Sequence, residues 1–359
     1  MALISQLMNN IPSMDFTKEQ KRLNRFINRL NDPKPKVNQT PRQVVWKKNK
    51  ATLWHYPAVE KKYETPIFLV YSLVSKAYIL DLAPGISVIE QLVGRGYDVY
   101  LLDWGVLGYE DKGITFEDYI VDYLQKAVRR ALRHSNADEI TLWGACLGGV
   151  MASMYAAIAE EPIKNLILTT PPIDFRAVIQ MLPEKWAEGI LNNEINIDRF
   201  VDVNGLIQPR YMYTLSRSIS APINLSSYTT LLNHCYNDKF VDKWSRMDMW
   251  TKDHVPLSGE VVRQIINDFI VENKFIEGKL TVRGKRVDLK NIHANILVMT
   301  AANDTVVPEE ASLPIMDAVS SNDKTYETFM FGHIGMFLSD KCPAYIDKWL
   351  ESRSKQVQN

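Results

Sequence analysis

Residues 144–149 read Gly-Ala-Cys-Leu-Gly-Gly, directly after an apolar run at 139–143 and opening a helical run at 150–159. A cysteine with glycine two places before and two after, on a strand–turn–helix junction, has the form of a nucleophile elbow in which Cys replaces the usual Ser. Physical reasons dictate each residue type. The sharp turn leaves no room for side chains at Gly144 and Gly148, and Gly149 lets the following helix pack closely. Cys146 would sit at a helix N-terminus, where the dipole favours thiolate over thiol. The bland alternative is a small buried cysteine in a glycine-rich turn. Cys235 and Cys342 have no such context and read as core or surface thiols.

A nucleophile on such an elbow needs a base and an orienting acid further along the chain, in the order nucleophile, acid, base. Asp304 lies in the loop after the apolar run 296–300, and His333 lies between Gly332 and Gly335 after the run 325–331. The 29 residues between them leave room for one helix and one strand, so both would reach the same carboxyl edge of a sheet, where ligands bind in open α/β folds. Of the six histidines (55, 134, 234, 254, 293 and 333), only His333 occupies a Gly-flanked loop after a late strand. Asp323 is the nearest competitor of Asp304. An oxyanion hole would use the backbone N–H of Leu147 and one from the loop 71–76, with Val74 the candidate. The segment 101–105, ending Asp-Trp-Gly, either lines the pocket or closes the sheet. Cysteine suits acyl transfer better than hydrolysis. Attack of a thiolate on a thioester yields another thioester, which stays activated for a second transfer.

The elements that must position these residues follow from periodicity. Short apolar or β-branched runs at 66–72, 98–102, 139–143 and 165–169 look like strands buried on both faces. Helical patterns separate them, at 87–93 and at 117–134, the latter with Thr115 and Asp118 placed as a capping box. This alternation predicts a parallel sheet with right-handed crossovers. It stops after residue 170, and from 174 to 277 there is no clear strand. It resumes at 296–300 and 325–331 and ends with a helix at about 343–354. The expected organisation is an N-terminal segment 1–50, a first core part 51–173, a mostly helical cap insertion 174–285 and a second core part 286–359. A cap that excludes water would protect an acyl intermediate.

At 359 residues the chain fits one large α/β domain with an insertion. Forty-two Lys and Arg balance 42 Asp and Glu, which argues against nucleic acid as a partner. The neutrality hides an asymmetry. Between residues 18 and 50, eleven Lys and Arg face only Glu19 and Asp32, leaving +9 there and −9 elsewhere. Leu23, Phe26, Ile27 and Leu30 have helical spacing within this stretch. The segment reads either as an amphipathic helix docked by its apolar face, or as a contact surface for an acidic partner or anionic assembly. No apolar run is long enough to span a bilayer, and the first ten residues have no secretory-signal pattern. Three cysteines, an odd number, argue against a disulfide framework and for a reducing cytoplasm. No metal site is expected.

With the elbow, residues 78–82 (YILDL), 98–105 (DVYLLDWG) and 287–289 (VDL), the chain resembles the polyhydroxyalkanoate synthases, specifically the short catalytic subunit of the two-subunit class III/IV type. Within the insertion Trp244, Met247, Trp250, Asp268, Phe269 and Asn273 add to the resemblance, which covers about residues 35–352. It departs at Ser75, where the family usually has Asn before the Lys. The resemblance implies an α/β-hydrolase fold with a mobile cap and a Cys-His-Asp triad. That triad would polymerise (R)-3-hydroxyacyl-CoA and release CoA at the surface of cytoplasmic polyester granules. By position, Cys146 would hold the growing polyester chain as a thioester, His333 would deprotonate it, and Asp304 would assist activation of the incoming 3-hydroxyl. The resemblance further implies a second synthase subunit as partner and no cofactor apart from the CoA carried by the substrate. It leaves a homo-oligomer open. Two alternatives remain at this point: a hydrolase of the same fold (thioesterase, esterase or polyester depolymerase) and a non-catalytic granule-binding scaffold.

Overall fold

The computed structural model describes residues 16–219 and 221–357; the residues 1–10 read above for a secretory signal lie outside them. Eight strands form the central sheet: β1 (Gln43–Lys48), β2 (Ala51–Tyr56), β3 (Ile67–Val70), β4 (Val99–Asp103), β5 (Ile140–Ala145), β6 (Ile163–Thr169), β7 (Asn295–Ala301) and β8 (Lys324–Phe329). Their order across the sheet is β1-β2-β4-β3-β5-β6-β7-β8. From β4 onward every neighbouring pair is parallel, while β1–β2 and β2–β4 are antiparallel. The inner strands β3 and β5 are buried along their whole length, as their unbroken apolar sequences require.

The helices follow the periodicity with local differences. Ser87 caps the helix Val88–Gly94 by accepting from the Glu90 N–H. Thr115 and Asp118 form a reciprocal pair: the Thr115 N–H donates to the Asp118 carboxylate (2.9 Å) and the Asp118 N–H to the Thr115 hydroxyl (3.3 Å). The single helix expected at 117–134 begins with a wide π-helical stretch, Asp118–Gln125, before the α-helix Lys126–Ser135.

Three differences from the sequence reading are informative. The described residues fall into two compact units, 16–36 with 221–249, and 37–219 with 250–357, so the basic segment taken as 1–50 divides near Lys36. Its second half is the β1–β2 hairpin, which the density of lysines obscured. Arg42 lies over the Trp54 ring at 3.9 Å, and Lys48 faces the Tyr123 ring at 4.7 Å and pairs with Asp122 at 3.4 Å. The charge there is consumed in packing. The insertion, read as lacking strands, holds a short antiparallel pair, Leu206–Ile207 with Leu257–Ser258, too brief to leave a period-two signal.

In the smaller unit the helix Phe16–Leu30 packs through its arginines rather than its apolar side. Arg25 Nε donates to the Cys235 carbonyl (3.2 Å), Arg25 lies over the Tyr236 ring, and Arg29 pairs with Asp238. Leu23, Ile27 and Leu30 remain about half exposed. No helix among the described residues is long and apolar enough to cross a membrane.

The turn after β5 is tightly packed. A Cβ on Gly144 would lie 2.6 Å from Gly149 Cα and 2.7 Å from the Gly148 carbonyl oxygen, and one on Gly148 would run into the Val70 carbonyl of β3. These neighbours are backbone and cannot yield. Gly148→Ala is expected to cost about 3 kcal/mol of stability, measured by urea unfolding; an unchanged midpoint would show that the turn has slack.

Candidate active site

The strand β5 delivers Cys146, and the helix Leu147–Ile158 begins immediately after it with Cys146 as its N-cap. Cys146 adopts φ 52° and ψ −126°, a conformation that costs a non-glycine residue about 1–3 kcal/mol. The surrounding bonds enforce it. The Cys146 N–H donates to the Thr169 carbonyl of β6 (2.9 Å), and the Gly149 N–H donates back to the Cys146 carbonyl (2.7 Å). A Cβ on Gly149 would sit 2.9 Å from the Pro171 side chain. The result is a partly exposed thiol at the carboxyl end of the sheet.

Asp304 and His333 arrive at the same edge from β7 and β8. The two loops are joined by backbone bonds from the Ala302 N–H to the Phe329 carbonyl and from the Asn303 N–H to the Phe331 carbonyl. One oxygen of Asp304 accepts from the N–H groups of Val306 (2.8 Å) and Val307 (2.9 Å). The other lies 2.7 Å from His333 Nδ1, with the carboxylate only 1% exposed. This fixes the ring so that Nδ1 carries its proton toward Asp304. Cys146 acts on the imidazole at short range through its charge. Burial alone would lower the His333 pKa. The charge on Cys146, the hydrogen bond that His333 donates to Asp304 and the Asp304 charge outweigh it and raise the pKa from 6.5 to about 10.

Asp323, the competing acid, lies before β8 at the opposite edge and forks with Arg353 at 2.7 and 3.1 Å. Cys235 and Cys342 are both buried, and burial pushes the Cys342 thiol up to about 12. His55 and His134 pack around Tyr100 on the far side of β4 from the elbow sequence, with His134 Nδ1 2.7 Å from the Tyr100 hydroxyl. Leu147 is the first residue of its helix, where an N–H has no intrahelical acceptor. The Val74 N–H donates to the Ser72 hydroxyl at 3.3 Å, a long bond.

The segment 101–105 ends an inner strand of the sheet, and the cleft it lines holds none of Cys146, Asp304 and His333. Asp103 ends β4, and the Trp104 indole N–H donates to the Tyr71 carbonyl (2.9 Å). Asp103, Trp104 and Gly105 also line a narrow cleft with Ser72, Ser75 and Lys76. Of the insertion residues, Phe269 packs against Phe116, Phe175 and Phe275, Asp268 pairs with Lys274 and Asn273 donates to Asp174, all structural contacts. Trp244 donates to the Ser227 hydroxyl (2.8 Å) within the smaller unit. Sequence reasoning missed the contribution of residues 250–255 to the loop carrying Val74, because nothing in either segment alone signals their pairing.

The sheet order, the strained cysteine on its turn and the buried Asp–His pair define an α/β-hydrolase-fold enzyme, and the α/beta hydrolase fold family matches residues 78–340. Residues 33–92 match the N-terminal family of poly-beta-hydroxybutyrate polymerase. The chain is 32% identical to the poly(3-hydroxyalkanoate) polymerase subunit PhaC of Synechocystis sp., covering 95% of this chain and 92% of that protein. Identity to the corresponding Allochromatium vinosum subunit is also 32%, covering 91% and 92%. The Haloferax mediterranei subunit is 35% identical over 89% of this chain, which spans 65% of that longer protein. A soluble variant of the Saccharomyces cerevisiae monoglyceride lipase shares the fold at TM-score 0.57 and 14% identity, over 90% of this chain and 99% of the lipase. The chain belongs to the poly(3-hydroxyalkanoate) polymerase family and is an enzyme of polyhydroxyalkanoate polymerisation, an acyltransferase by reaction class.

Proposed function

We propose that the chain polymerises (R)-3-hydroxyacyl-CoA, 3-hydroxybutyryl-CoA foremost, through an acyl thioester on Cys146. The cysteine on its strained turn beside a buried Asp304–His333 pair carries this reading. The Cys146 sulfur attacks the thioester carbonyl, and the carbonyl electron pair moves to oxygen, which the N–H groups of Leu147 and Val74 receive, the latter shared with the Ser72 hydroxyl at 3.3 Å. Collapse expels CoA, which takes the proton held by His333. The hydroxyl of the next hydroxyacyl-CoA then gives its proton to His333 and attacks the acyl carbon, expelling the Cys146 thiolate; Cys146 attacks the thioester of the lengthened acyl-CoA in turn, so that each CoA released after the first accompanies one new ester bond. Both oxygens of Asp304 are occupied by backbone N–H groups and His333, so Asp304 assists the 3-hydroxyl through the imidazole. The mechanism draws on no group beyond this chain and its substrate, with CoA as product.

The growing polyester is apolar, so the natural location of the enzyme is the surface of a polyester granule in the cytoplasm. We further propose a second synthase subunit as partner, by analogy with the two-subunit enzymes that the chain resembles. Incubation of the purified chain with 3-hydroxybutyryl-CoA, alone and with candidate partner subunits, tests the reading. Oligomeric ester with stoichiometric CoA is expected, and free hydroxy acid without oligomer would overturn it in favour of a hydrolase. Full activity of the chain alone would count against an obligate partner.

A further inference from the structure

The loop 72–76 that carries Val74 leaves β3 and leads into the 3₁₀ turn Ala77–Asp81. Its outer side is tied to residues 250–255 of the insertion at three points, with a fourth contact at Tyr78 just beyond it. The Val255 N–H donates to the Val74 carbonyl (3.2 Å), and Ser75 and His254 face each other as an isolated antiparallel bridge. The Trp250 indole N–H donates to the Lys76 carbonyl (2.9 Å). The Lys76 ammonium pairs with one oxygen of Asp253 at 3.0 Å, and the other oxygen accepts from the Tyr78 hydroxyl at 3.2 Å.

We propose that residues 250–255 form a strap that positions the oxyanion loop, with Asp253, Lys76 and Tyr78 as its clasp. The inference rests on the proposed role of Val74. A backbone donor stabilises a developing oxyanion only if it is already aimed, because reorienting it during the reaction would cancel the gain. A short loop held only by its two ends would not be aimed. The strap pairs with the loop backbone as an added strand does, and the clasp anchors the residue after it. The Lys76–Asp253 pair is more than a third exposed on the lysine side, so it contributes little to stability. Its geometry nonetheless reaches the donor, since the Lys76 carbonyl, the Ser75 backbone and the Val74 carbonyl are all held by one six-residue segment.

The test separates aim from folding and from nucleophilicity. Asp253→Asn should slow single-turnover acylation of Cys146 by 3-hydroxybutyryl-CoA about 30-fold, within the range for a donor displaced by a fraction of an ångström. Substrate KM should change little, and alkylation of Cys146 by iodoacetamide, which develops no oxyanion, should proceed at the wild-type rate. Binding of 3-hydroxybutyraldehyde, whose adduct with the thiol carries the same oxyanion position, should weaken in parallel with acylation. Asp253→Glu should recover part of the loss. Tyr78→Phe, which removes one hydroxyl, should give a smaller loss of about 3-fold with the same pattern and guards against misfolding of the first variant. Acylation at the wild-type rate in both variants would overturn the strap, as would equal loss of acylation and alkylation. Absence of an acyl-enzyme in the wild type would instead overturn the proposed function.

Discussion

Replacing Cys146 with serine lowers CoA release from 3-hydroxybutyryl-CoA by about 1,000-fold or more. Two effects add. The elbow geometry of β5 and its helix would survive, because serine is nearly isosteric and fits the same strained turn. The hydroxyl, however, ionises far less readily than a thiol, so the nucleophile is lost at the first step. What acyl-serine does form is an ordinary ester, less activated than a thioester, so the second transfer stalls. The variant should therefore carry a single acyl unit, visible as a mass increase on the residue 146 peptide, without polymer. Cys146→Ala should show neither. Release of CoA by Cys146→Ala at the wild-type rate would refute nucleophilic catalysis and favour a scaffold.

Replacing His333 with glutamine should lower CoA release about 10,000-fold, as expected when a triad base is lost. In the wild type the imidazolium persists to about pH 10, because the Cys146 charge and the buried Asp304 hold its proton. Alkylation of Cys146 by iodoacetamide at pH 7 should fall at least about 10-fold in the variant, which has no imidazolium beside the sulfur. Alkylation of the variant at the wild-type rate would show that His333 does not activate the thiol. The raised pKa also gives stability a sign. The His333 interactions contribute fully below about pH 6.5, where the unfolded histidine is protonated too, and their contribution is lost as pH rises through about 10.

The parts of the site that sequence made legible are those written locally. The glycines at 144 and 148 are demanded by contacts within a few residues of the turn or with the adjacent β3 backbone, and Gly149 by Pro171, so the spacing of the elbow marked them. Asp304 and His333 were legible because β7 has a strong apolar run, β8 is marked by threonine and aromatic residues, and each residue follows its own strand. The hairpin β1–β2 was not, since its lysines and arginines serve ring faces and acids far along the chain. The same holds for the helix Phe16–Leu30, whose periodicity suggested an apolar contact while its arginines bond to residues 235 and 238. The strap at 250–255 depends on a pairing across about 180 residues, which no window of sequence contains.

The outermost strand has a further consequence. β1 ends the sheet with Lys47 and Lys48 near its tip, and its register with β2 slips between Val44 and Trp46. A flat, apolar edge would accept a strand from a neighbouring copy, and crowding raises that hazard steeply. On the polyester granule proposed above, every new chain would bring copies of the enzyme together on one surface. The slipped register and the charged tip deny those neighbours a template, so many copies can share one particle without zipping into a common sheet.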